Sequence, residues 1–156
     1  MFVVLSALLI ASATSITADT GRCLAAEQFL REAQRMTTVI DADTVDDWRT
    51  GKRLEGCRVT AAGSSDVDVA QEAARLYVRL RAGGWTRTPD PRDAPTESSL
   101  RFRRQGNDCL FNLYQGALLL TESEGRVIAA HEASADERTR YQVFVQCVES
   151  LPAAAR

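Results

Sequence analysis

Four cysteines, at positions 23, 57, 109 and 147 of a 156-residue chain, constrain the fold more than any other feature. They are even in number and widely spaced, and no two form a C-x-x-C pair. What they do depends on the compartment, and the first residues speak to that. The segment MFVVLSALLIASATSITA carries no charged side chain, is apolar from Phe2 to Ile10, and then turns to small residues. That is the order of a secretory signal peptide, with cleavage expected after Ala13 or Ala18, although no basic residue precedes the apolar run. The run is shorter than the ~20 residues that cross a bilayer, so no stable membrane span is expected after cleavage. Arg22 stands before Cys23, where a lipidated cysteine would follow a small residue. A secreted or periplasmic protein is therefore expected, with Cys23, Cys57, Cys109 and Cys147 in two disulfides. His131 is the only histidine, and with no C-x-x-C pair the spacing offers no zinc ligand set. No metal and no cofactor are expected.

The rest of the chain alternates helix and strand signals. Asp19 or Thr20 can cap a helix through Met36, with Ala26, Phe29, Leu30 and Ala33 on one face. The acidic stretch 41–48 reads as irregular, and a Thr50-Gly51 turn leads into a strand over 53–61. Ser64 or Ser65 can cap the next helix, Asp66 to Ala82, whose stripe is Val69, Ala73, Leu76, Tyr77 and Leu80. Acids open that helix, arginines close it, and Gly83-Gly84 stops it. Residues 86–97 hold three prolines and read as a loop. A hairpin follows, with Gly106-Asn107 at its tip, pairing Arg104 with Cys109, Phe102 with Phe111 and Leu100 with Leu113. Segment 117–123 reads as more sheet or a helical turn, 124–140 as a polar loop, and 141–148 as the last strand.

This order predicts an α+β domain over 19–150, a small antiparallel sheet with two helices packed on one face, stapled by disulfides. Residues 1–18 form the leader and 151–156 a tail. In a ferredoxin-like strand order the first strand neighbours the last. That would bring Cys57 to Cys147 and leave Cys23 for Cys109, with sequential pairing as the rival.

Composition narrows the function. A formal net charge of -2 gives no basic field for nucleic acid. On the hairpin, Arg101 and Arg103 fall on the outward face with Asn112 and Tyr114, a set able to contact a protein or an envelope component. The turn at Gly63-Ser64-Ser65 matches neither a phosphate-binding loop nor a nucleophile elbow. The acids at 41–47 lack the glycine and final glutamate of an EF-hand loop. The expectation is a non-catalytic secreted or periplasmic binding module. The alternative is a small hydrolase-like enzyme using Ser64 or His131.

Overall fold

A run of β-branched residues, Thr37 to Ile40, opens the longest hairpin among the described residues. The computed structural model describes residues 19–88, 99–133 and 138–151. The expected leader, most of the proline-rich loop and the last five residues lie outside them. Strand β1 (Thr37–Asp47) pairs antiparallel with β2 (Lys52–Ser65) across a turn whose Gly51 has φ 65°. The acidic stretch is thus strand almost to its end, not irregular chain. Thr38, Val39, Ile40, Thr44 and Val45 favour the pleat. Arg58 lies opposite Asp41 and sits 3.6 Å and 3.7 Å from the carboxylates of Asp41 and Asp43.

Strands β3 (Thr86–Arg87), β4 (Ser99–Arg104), β5 (Asn107–Tyr114) and β6 (Thr139–Glu149) complete a six-stranded sheet. Its order is β1-β2-β6-β5-β4-β3, and every pair is antiparallel. The first expected strand does neighbour the last, yet the order is not ferredoxin-like. That arrangement needs parallel central strands joined by crossovers on one face. Here β6 runs antiparallel to both β2 and β5.

The first helical segment runs as a 3-10 turn (Thr20–Cys23), a short α1 (Leu24–Gln28) and a π turn (Phe29–Ala33). It stops three residues short of the expected Met36. The amide of Met36 donates back to the carbonyl of Leu30 at 3.0 Å, with Arg35 left-handed at φ 54°. Helix α2 (Val69–Ala82) starts at Asp68, whose Oδ1 accepts from the Gln71 amide at 2.8 Å. Ser64 and Ser65 do not cap it, because both still belong to β2. These two helices pack on one sheet face around Leu30, Leu76, Leu80, Trp85, Phe102 and Phe111. Edge-to-face contacts link the aromatics, with centroids 5.3 Å apart for Trp85–Phe111 and 5.6 Å for Tyr77–Phe102.

A third helix, α3 (Glu122–Glu132), replaces most of the expected polar loop. It packs across β1 and β2 on the opposite face, so the helices are not confined to one side. Thr121 caps it by accepting from the Glu124 amide at 3.2 Å. Its anchors are buried Val127 and Glu124. The carboxylate of Glu124 accepts from the amides of Leu118, Leu119 and Leu120 and from the Tyr114 hydroxyl, at 2.7–3.2 Å.

The β4–β5 hairpin keeps its expected faces but turns one residue earlier, at Gln105-Gly106, with φ 50° and 75°. Arg104 therefore faces Asn107, Phe102 faces Cys109 and Leu100 faces Phe111. The change in pairing is two residues, so no side chain crosses the sheet. It places Asp108 opposite Arg103, where the two form an ion pair at 2.7 Å.

All four cysteines are bridged, in sequential order, Cys23–Cys57 and Cys109–Cys147. Cys57 does lie opposite Cys147, as the strand neighbourhood implied. Cys147, however, has a second neighbour, Cys109 on β5, and bonds to it. The helix above the sheet brings Cys23 down to Cys57.

Candidate functional site

The outward sheet face carries the four hairpin residues expected to form a contact surface, and each is engaged within the protein. Arg101 is 4% exposed. Arg103 holds Asp108 through two bonds of 2.7 Å and 3.1 Å, and donates to the Leu151 carbonyl at 2.9 Å. Asp108 also accepts from Arg49 at 2.8 Å, and Arg49 reaches Asp47 at 2.9 Å. Burial alone would raise the carboxyls of Asp47 and Asp108. The hydrogen bonds and charges of Arg49, joined by Arg103 at Asp108, instead hold both below the ordinary carboxylate value. Asn112 accepts from the Ser99 hydroxyl at 2.6 Å. Tyr114 donates to Glu124 at 2.8 Å, and burial together with that carboxylate pushes its phenol up.

A different region gathers chemistry without using it up. Two adjoining cavities, of about 360 and 300 Å³, open where β2 ends, beside the turn that closes the first helix. They share Gln34, Arg35, Ser64 and Arg138 as lining residues. In the larger, the buried carboxylate of Glu72 accepts from Ser65 at 2.6 Å, Arg79 at 3.3 Å and Tyr141 at 3.4 Å. Arg75 holds Asp66 at 2.6 Å, and Arg79 also donates to Gln34 Oε1 at 2.6 Å. Burial and the Glu72 charge raise the Tyr141 phenol, so it stays a neutral donor. These arginines are held in place by their own partners.

The smaller cavity is lined by Arg35, Arg138, His131, Thr37, Ser64 and Gln34, with Gly63 at its wall. Among the described residues no carboxylate lines it. Because Arg79 can only donate, it fixes the Gln34 amide with Oε1 toward it. The remaining Gln34 Nε2 is buried with no hydrogen-bond partner. Arg35, exposed and left-handed, has no ion-pair partner among the described residues, and the hydroxyls of Thr37 and Ser64 make no hydrogen bond there.

Ser64 and His131, far apart in sequence, therefore line one cavity. The sequence did not mark Arg35, Arg79, Arg138, Gln34 or Glu72 as members of a site. Arg79 looks like an ordinary charge at a helix end, and Arg35 like a surface residue. One signal was available: the first helix ends on Arg35-Met36, with no glycine at the stop. The sulfurs of Cys23, Cys57 and Cys147 lie within 4.8 Å of one another, but all are bridged and do not suit a metal. No known family model, no curated protein and no solved structure matches this chain.

Proposed function

We propose that the protein is a non-catalytic binding module of a secreted or periplasmic compartment, and that the arginine-lined cleft is its ligand site. Two buried disulfides and the apolar leader support an oxidising destination. The observation that carries the reading is the smaller cavity, which Arg35, Arg138 and His131 line and which has no described carboxylate in its wall. Such a site selects anions, and the arginine forks give it directional donors. The ligand is an anionic group on an envelope component or on a partner.

A second reading rests on Ser64 and His131 lining the same cavity, which places a hydroxyl and an imidazole around one space. The Ser64 hydroxyl has no hydrogen-bonded base among the described residues, so binding is the stronger reading. Amide NMR titration of the oxidised protein with phosphate, sulfate, acetate and succinate at constant ionic strength tests it. Saturable shifts at Gln34, Arg35, Ser64 and His131 are expected from at least one anion. Silence toward all four would remove the cleft as an anion site. Ester turnover abolished by Ser64→Ala would favour the enzyme.

A further inference from the structure

Resting on that reading, we infer that the group bound in the smaller cavity is a phosphoryl group carried on a small polar molecule. The argument is the number of uncommitted donors and the separate parts of the fold that carry them. Arg35, Gln34 Nε2, Thr37 Oγ1 and Ser64 Oγ all lack hydrogen-bond partners among the described residues, and all four residues line this cavity. They come from different elements: the end of the first helix, the turn after it, the start of β1 and the end of β2. A carboxylate is planar, and its two oxygens take donors at about four sites lying near that one plane. A guanidinium fork fills two of those sites, which leaves fewer for an amide, two hydroxyls and the other side chains that line the cavity. A phosphoryl group is tetrahedral, presents three terminal oxygens, and takes donors from several directions at once. His131 on α3 and Arg138 before β6 line the same cavity.

The larger cavity states what the rest of the ligand is like. It opens from the same residues, and Ala33 is the only aliphatic residue among those described along it. The arginines that line it alone, Arg75 and Arg79, are already paired with Asp66 and Glu72, so that part offers hydrogen bonds among balanced charges. That suits a hydroxyl-bearing body and not an acyl chain. Ser64 and Gln34 stand at the junction of the two cavities, where the phosphoryl group would join the rest.

The test compares inorganic phosphate, glycerol phosphate, glycerol and acetate by calorimetry and amide NMR, using the oxidised protein. Phosphate is expected to shift Gln34, Arg35, Thr37 and Ser64, and glycerol phosphate to bind more tightly and extend the shifts to Ser65 and Arg79. Arg35→Gln is expected to weaken both phosphates by about tenfold or more. Thr37→Val with Ser64→Ala is expected to weaken phosphate while sparing acetate. Each variant is checked for intact disulfides and unchanged dispersion of the core amides, so that a folding defect is not mistaken for lost binding. Acetate binding as tightly as phosphate would overturn the phosphoryl assignment and leave the anion cleft standing. Silence toward both would overturn the cleft as well. An Arg35→Gln variant that is folded and binds phosphate unchanged would overturn the placement.

Discussion

Replacing Arg35 with glycine should make the protein more stable and a poorer binder. Arg35 occupies the left-handed position that closes the first helix, at φ 54°, with the Met36 amide bonded to the Leu30 carbonyl at 3.0 Å. An L-residue in that conformation costs roughly 1–2 kcal/mol, which glycine avoids. Glycine also frees the unfolded chain, which removes about 0.4–1 kcal/mol of the gain. No ion pair of Arg35 is lost, because none is formed among the described residues. The net expectation is a gain of roughly 0.5–1 kcal/mol, or about 2–3 °C in Tm for a domain of this size. Calorimetric melting and phosphate titration of the same sample read both quantities. Leu120→Gly is the control. Leu120 also has a positive φ, 53°, and is 86% exposed, and it lies outside the cleft. It should gain similar stability and bind as before. A destabilised Arg35→Gly would refute the strain argument. A stabilised one with full affinity would refute the role given to the side chain.

Other outcomes follow from the same physics. Asp108→Ala should cost about 3–5 kcal/mol in urea unfolding, because it leaves the guanidiniums of Arg49 and Arg103 without their shared carboxylate. Asp47, Asp108 and Glu124 titrate below their ordinary values, so they contribute stability above about pH 4–5 that is lost as pH falls through their folded-state values. Unfolding free energy should thus be flat near neutrality and drop in acid, and a drop on the alkaline side alone would contradict the assignment. Mass mapping without reduction should find Cys23–Cys57 and Cys109–Cys147. Removing either pair should cost about 4 kcal/mol, from loops closed over sequence separations of 34 and 38. Gly56→Ala should fold poorly or not at all, since a Cβ there would stand 2.3 Å from the Cys147 carbonyl oxygen, and normal yield would show the strands able to part.

The parts of the fold that followed from sequence are those where burial and period agree. Phe102 and Phe111 cannot both face water, so the hairpin faces were legible. Its turn was not, because Gln105-Gly106 and Gly106-Asn107 both place a glycine at the tip. Asp108 decides between them by facing Arg103. Strand β1 was hidden because its acids resemble a loop until Arg58, on another strand, is placed beside them. Helix α3 was hidden because it buries only Val127 as an apolar residue, though the pattern Thr121-x-x-Glu124 is a helix-start signal. The cleft was the least legible feature. Its residues come from four regions, and nothing local ties Gln34 to Ser64 or His131. Sequence singles out the hydroxyl and the imidazole separately, and the arginines that line the same cavity look like surface charges.

The Cys23–Cys57 bridge also has a consequence for timing. The ring it closes contains Gln34, Arg35 and Thr37, and it fastens the helix that leads into the first two to the strand that carries Ser64 near its end. In a reducing compartment that fastening is missing, and Gln34, Arg35 and Thr37 are held only by the Arg79–Gln34 hydrogen bond, the β1–β2 ladder and packing. On the proposed reading, the bridge would act as a licence granted by oxidation: the reduced chain would bind phosphate more weakly than the oxidised one. Phosphate titration before and after reduction of the folded protein reads this directly, and equal affinity in the two states would dismiss it.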